Sequence, residues 1–126
     1  MRMLIDTHTF LWIAAEPEKL SPGARAVCSA ETLALSVASV WEISIKSHIG
    51  RLTLPGSPGD YLAKQIRYGG ISVLPIHFRH AVAAGELSSA HKDPFDRMIA
   101  AQCLNEHLPC VTRDRFFSEC GVETIW

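Results

Sequence analysis

The feature that most restricts what this chain can fold into is its alternation of short β-rich runs with helical patterns. Residues 3–6, 33–36, 72–76, 110–113 and 122–126 are brief runs rich in apolar side chains. They read as nearly continuous apolar stretches rather than strict apolar–polar alternation, as strands covered on both faces should. Helical patterns lie between most of them. Such alternation predicts an α/β fold with a parallel sheet and helices packed on both its faces. A chain of 126 residues, 48% of them hydrophobic, has enough apolar surface for one core without a disulfide or a structural metal. No linker, repeat or low-complexity tract divides it, so residues 1–126 are read as a single domain.

Helix boundaries are marked in several places. Ser21-Pro22 has the form of an N-cap followed by proline at the first helical position, and Asp93-Pro94-Phe95-Asp96 repeats that device. Gly50 closes a helical pattern over 37–49. Within it Val37, Val40, Trp41, Ser44, Ile45 and His48 share one stripe, expected to face inward. Glu42 lies at the border of that stripe, and Ile43 lies well off it, which hints at a protein interface. Pro55-Gly56-Ser57-Pro58-Gly59 is expected to be an exposed loop. Tyr61, Leu62, Gln65, Ile66 and Tyr68 then suggest a short helix ending at Gly69-Gly70.

Several classes of protein are disfavoured. No apolar run approaches the roughly 18 to 20 residues of a membrane span. The start, Met1-Arg2-Met3-Leu4-Ile5-Asp6, lacks the form of a signal peptide, and a cytoplasmic chain is expected. Cys28, Cys103, Cys110 and Cys120 show no C-x-x-C spacing and are expected to be buried free thiols. The six histidines, His8, His48, His77, His80, His91 and His107, show no metal-ligand spacing and are read as core or surface filling. A nucleophilic serine or cysteine motif and a glycine-rich phosphate loop are both lacking. The net charge of -1 is unusual for a nucleic-acid binder, although clustered carboxylates would mask local basic surface.

Four carboxylates stand out against this background. Asp6 ends the apolar run Met3-Leu4-Ile5, at the carboxyl edge where open α/β sheets hold ligands. Its structural alternative is to cap a helix beginning near Thr7. Glu42 avoids the far, solvated side of its helix; the alternative is an exposed pair with Lys46 at i+4. Asp96 precedes Ile99, Ala100 and Cys103 at i+3, i+4 and i+7, so it points towards the sheet. An unpaired buried carboxylate costs several kcal/mol or becomes protonated. A helix N-terminus returns only about 0.3 to 1 kcal/mol. Asp93 is better explained as the N-cap. Asp114 follows Val111-Thr112-Arg113 and shares a face with Thr112; the alternative is an acid that starts a turn or pairs with a flanking arginine. If the first and fourth strands are neighbours, Asp6 and Asp114 meet at a topological switch point, where helices bearing Glu42 and Asp96 can converge. Four such acids repel unless hard cations sit among them, and Mg2+ or Mn2+ prefers oxygen ligands of this kind.

The same residues resemble those of the PIN-domain family, especially the VapC-type toxins of bacterial toxin–antitoxin pairs. The matching pieces are Leu4-Ile5-Asp6-Thr7-His8, Ser36 through Trp41-Glu42-Ile43-Ser44-Ile45-Lys46 with Gly50-Arg51-Leu52, then His91-Lys92-Asp93-Pro94-Phe95-Asp96-Arg97 with Ile99-Ala100-Ala101-Gln102, and Val111-Thr112-Arg113-Asp114. They run in the family's order over nearly the whole chain. The family's four acids fall on Asp6, Glu42, Asp96 and Asp114; Asp93 is an extra acid. The resemblance implies a three-layer α/β/α fold with five parallel strands in the order 3-2-1-4-5. It further implies a Mg2+- or Mn2+-dependent endoribonuclease leaving 5′-phosphate and 3′-hydroxyl ends, a homodimer and an antitoxin partner.

On this reading Asp6 and Asp96 are the main metal ligands, and Glu42 and Asp114 complete the shell directly or through water. Metal-bound water becomes the nucleophile, and Thr112 positions a ligand or the water. Lys46, Arg51, Lys92, Arg97, Arg113 and Arg115 are candidates for the substrate phosphates, each with a solvated or ion-paired alternative. Two rivals remain. One is a phosphatase using Asp6 as nucleophile, disfavoured because His8 occupies the second position of the usual D-x-D pair. The other is a PIN-like module that binds RNA or a protein partner without cutting.

Overall fold

The computed structural model describes residues 2–88 and 93–126, so the candidate cation Lys92 and the neighbouring His91 lie outside the described residues. Strands β1 (Arg2–Ile5), β2 (Thr32–Ser36), β3 (Ser72–Leu74), β4 (Cys110–Val111) and β5 (Thr124–Ile125) form one sheet in the order β3-β2-β1-β4-β5. Every pairing is parallel. Ile5 stands opposite Leu35 on one side and Val111 on the other. The strand order therefore reverses between β1 and β4, and the carboxyl end of β1 opens at that switch point.

The two-residue period of a strand divides the core between the faces. Met3, Ile5, Leu33, Leu35 and Val111 pack one way, against Phe10 of helix α1 (Thr7–Ala15), Ala24 of α2 (Pro22–Ala30), Ile43 of α3 (Val37–His48) and Leu62 of α4 (Pro58–Tyr68). Leu4, Leu74 and Cys110 pack the other way, against Ala38 of α3, Ile99, Ala100 and Cys103 of α6 (Pro94–Glu106) and Phe116 and Phe117 of α7 (Arg115–Glu119). Helix α5 (Phe78–Glu86) packs on α6.

The marked caps form as expected. Ser21 accepts from Ala24 N, Asp93 accepts from Phe95 N and Asp96 N, and Gly50 leaves α3 with φ of 79°. Three expectations need correction. Helix α4 starts at Pro58, inside the segment read as a loop, because Ser57 caps it through Asp60 N; this is the same Ser-Pro device as at Ser21. The inward face of α3 is Ala38, Ser39, Glu42 and Ile43, whereas Val37, Trp41, Ser44 and His48 are exposed. The apolar stripe marks the outside of that helix, and Ile43 is core rather than interface. Cys28 and Cys120 are only half-buried, although all four thiols are free. Helices α5 and α7 carry little sequence signal: only His80 and Ala84 of α5 are buried, and α7 spans Arg115–Glu119 alone. Among the described residues no helix is long and apolar enough to cross a membrane.

His80 is completely buried at the start of α5, where its Nδ1 accepts from the His77 backbone N–H at 3.0 Å. Burial, helped by the adjacent Arg79, holds its pKa below the ordinary 6.5; Glu106, whose Oε1 is 3.4 Å from Nε2, opposes this. The unfolded chain thus takes up a proton at His80 that the folded chain resists. The stability this confers is complete above pH 6.5 and is lost as pH falls from there towards the lower folded value. Urea midpoints recorded between neutral and mildly acidic pH should fall for the wild type, and His80→Gln should show a shallower fall over that window.

Candidate functional site

Asp6 sits where β1 gives way to α1, and its surroundings follow from those two elements. Its backbone is still extended, so the carboxylate turns back over the first helical turn, and Oδ1 accepts from Thr9 N at 2.9 Å. The side chain is only 5% exposed. Oδ2 accepts from Thr112 Oγ1 at 2.6 Å, a contact that exists because β4 lies beside β1 and ends at Val111. The same Thr112 oxygen accepts from Asp114 N at 3.0 Å. Thr112 is therefore a joint between two acids that are 108 positions apart (114 less 6). Asp114 caps α7 through Phe116 N at 3.0 Å and is exposed on the same cavity that Asp6 lines. The capping alternative considered for Asp6 is realised through Oδ1, with Oδ2 taken by Thr112, while Asp114, considered as an acid that starts a turn, caps α7 through Oδ1.

Glu42 lies deeper, 3% exposed, on the inward face of α3. Its Oε1 accepts from Thr7 Oγ1 at 2.7 Å, and Thr7 in turn lies 2.8 Å from the Ser39 hydroxyl. Its Oε2 pairs with Lys46 Nζ at 2.5 Å. The pair with Lys46 is thus present, but it is anchored in the core at one end rather than exposed. Thr7 is the residue next to Asp6, so β1, α1 and α3 bring Asp6 and Glu42 to adjoining positions. Thr7 and Ser39 lie within the matching pieces, but neither was assigned a role at the site from sequence. The signal available was a hydroxyl directly after Asp6 and another one helical turn before Glu42.

Asp96 occupies the first turn of α6, half-buried, with Asp93 capping the helix in front of it. Its place relative to Asp6 is registered at Cys110, a wholly buried thiol on β4. Burial pushes that thiol's pKa well up, the neighbouring Cys103 thiol adds to this, and the Asp6 and Asp96 carboxylates add further. Both acids therefore lie within electrostatic reach of one sulfur. Among the described residues, however, no three histidine, cysteine, aspartate or glutamate side chains are grouped closely enough to hold a metal ion as they stand. Asp6 and Asp114 share a cavity, Glu42 is bonded to Thr7 in the wall of the neighbouring cavity, and Asp96 stands in the first turn of α6. The donor set is all oxygen, which suits a hard divalent cation.

The cations divide by role. Arg97 spends its guanidinium on the carbonyls of Ala84 (2.8 Å) and Leu87 (2.9 Å), which fastens the end of α5 to α6. Arg113 lies over the Trp12 ring, 5.0 Å from its centroid. Arg115 and Arg51 are exposed. A cavity of about 310 Å³ is lined by Asp6, His8, Thr9, Trp12, Arg113 and Asp114. A second, of about 340 Å³, includes Thr7, His8, Trp12, Lys46 and Arg51 in its walls.

Comparison with known proteins agrees with this architecture. The family described as PIN domain matches residues 3–122. Ribonuclease VapC22 of Mycobacterium tuberculosis is 33% identical over 117 residues, covering 90% of this chain and 87% of that protein. Among solved structures, VapBC2 from Rickettsia felis bound to a DNA fragment from its promoter has a TM-score of 0.72 at 12% identity, covering 98% of this chain and 97% of that one. A toxin–antitoxin complex from Klebsiella pneumoniae has a TM-score of 0.58 at 14% identity, covering 90% of this chain and 87% of that one. At these identities the two structures share the fold.

Thr112 offers a direct check on the geometry. Thr112→Val keeps the shape but leaves a buried carboxylate oxygen of Asp6 and the Asp114 N–H without their partner. It should lower stability by about 1–3 kcal/mol. Thr112→Ser should recover most of that loss in the same denaturation experiment.

Proposed function

Because the chain belongs to the PIN domain family, we propose that it is a metal-dependent endoribonuclease and the toxin of a toxin–antitoxin pair. The observation that carries this reading is the buried Asp6, joined through Thr112 to Asp114, at the mouth of a cavity on the switch point of the sheet. A purely structural aspartate would need only the cap to Thr9 N. The 33% identical relative, named as a ribonuclease, supports the activity. The fold shared with a toxin–antitoxin complex supports an antitoxin as partner.

Asp6 and Asp96 would hold Mg2+ or Mn2+, with Glu42 and Asp114 completing the shell directly or through water. A bound ion of this kind lowers the pKa of its water and offsets charge on the phosphoryl oxygens. The chain's own residues do the rest. Thr112 holds Asp6 in one rotamer, Asp93 fixes the first turn of α6 from which Asp96 projects, and Thr7 and Lys46 each hold one oxygen of Glu42. Arg113, Arg115 and Lys46 would meet substrate phosphates, and Arg97 holds the α5–α6 junction. Attack by water on phosphorus with the 3′-oxygen as leaving group would leave 5′-phosphate and 3′-hydroxyl ends, and a bound ion would supply the activation of that water.

Exposed apolar side chains on α3 and α5 fit the homodimer of this proposal. Trp41 is 62% exposed with its ring 5.3 Å from Phe95, and Phe78 is 87% exposed. Aromatic anchors of this kind dominate protein interfaces.

In a cleavage assay on structured RNAs with Mg2+, Asp6→Asn and Asp96→Asn should each reduce the rate by roughly a hundredfold or more. Chelation should abolish cleavage reversibly. Equal and negligible cleavage by wild type and Asp96→Asn would favour a module that binds without cutting. Trp41→Glu should shift sedimentation from dimer to monomer while the unfolding free energy of the monomer stays within about 0.5 kcal/mol of wild type, since the ring is exposed.

A further inference from the structure

Trp12 takes no part in the chemistry assigned above, yet charged and aromatic groups gather on it. It is half-buried on α1 and packs against the core at one edge. The Arg113 guanidinium lies 5.0 Å from its ring centroid and Lys19 Nζ 5.9 Å. His8, one helical turn earlier and exposed, has its ring centroid 5.9 Å away at an interplanar angle of 40°. Trp126 lies 5.8 Å away at 59°. A tryptophan with only a packing role would turn its faces to hydrocarbon. This ring instead forms, with His8, a wall common to both cavities of the site.

The cations are arranged about that wall. On its acidic side, beside Asp6 and Asp114, is Arg113, which makes no ion pair among the described residues. On its other side are Lys46 and Arg51. The surface thus runs cation, aromatic ridge, cation across the carboxyl edge of β1. A single polynucleotide strand has the complementary pattern, with a flat apolar base between two anionic phosphates. A duplex does not, because its bases are stacked on one another and offer no face.

We propose that His8 and Trp12 form the stacking platform for one unpaired nucleobase of single-stranded RNA, with its flanking phosphates at Arg113 on one side and at Lys46 or Arg51 on the other. This rests on the ribonuclease reading and narrows its substrate: the RNA is recognised beside the cut by an unpaired base, without regard to which base. The guanidinium now over Trp12 yields that face to the base and moves to the phosphate. Stacking on an aromatic side chain is tolerant of sequence because every base has a π-face.

The test uses the full-length Asp96→Asn chain, so that RNA persists during titration in Mg2+. Binding is measured for a short single-stranded RNA, the same RNA with single abasic nucleotides, and its duplex. Trp12→Leu in that background should weaken binding of the intact single strand about tenfold or more, and Trp12→Phe should restore most of it. At one position the abasic RNA should bind the parent weakly, yet bind Trp12→Leu no worse than intact RNA does. Duplex RNA should bind weakly to all. Intact and abasic RNA bound alike by the parent, or weakened equally by Trp12→Leu, would overturn the platform. So would unchanged RNA binding by Trp12→Leu with loss of a protein partner. Cleavage by the wild-type chain without base-dependent binding at Trp12 would remove the platform and leave the ribonuclease. Base-dependent binding without cleavage would do the reverse.

Discussion

The hydrogen bond from Thr112 to Asp6 is where the sheet and the site become one structure. It requires β4 to lie directly beside β1, because the donor stands just past Val111 and the acceptor just past Ile5, and those two residues are paired in the ladder. A shift of one residue in that register would turn Thr112 away and bring Arg113 towards the buried carboxylate. The hydroxyl then serves a second acid by accepting from the Asp114 backbone, so the two carboxylates are positioned by one oxygen. A carboxylate as buried as Asp6 is tolerated only where donors face it, and here one comes from its own helix at Thr9 N and the other from beyond β4 at Thr112.

Glu42 shows the same economy on the other side of β1. Thr7 links it to the residue following Asp6, and Lys46 covers the oxygen that Thr7 does not. The acids are thereby held apart by fixed hydroxyls and a lysine rather than pressed together. The His8–Trp12 ridge adds an aromatic element between two pockets that each carry a cation, Arg113 in one and Lys46 with Arg51 in the other.

Much of this was legible in the order of residues. Short apolar runs spaced by helical patterns led to a covered parallel sheet, and Ser-Pro and Asp-Pro signals placed two helix starts where they are found. Asp6 and Asp114 could be identified as acids at strand ends. Trp41 and Ile43 show where the reading failed. Periodicity ranks the faces of a helix by hydrophobicity, and α3 carries Val37 and Trp41 outward while Ala38, Ser39, Glu42 and Ile43 go inward. The close packing of α3 on the sheet needs small residues there, and the buried acid belongs to the site. Helix α5 was invisible for a related reason, since it buries little and exposes Phe78 and Val82.

The sequence by itself determined which chemical groups are available: oxygen-only acids at the ends of apolar strands, capping residues at helix starts and enough hydrophobic surface for one core. Those are local properties, set by residue type and by the periods of helix and strand. Only the tertiary structure decided which groups face each other. The pairing of β1 with β4, the inward roll of α3 and the gathering of Arg113 and His8 on Trp12 depend on contacts between residues up to about a hundred positions apart, which no local preference encodes.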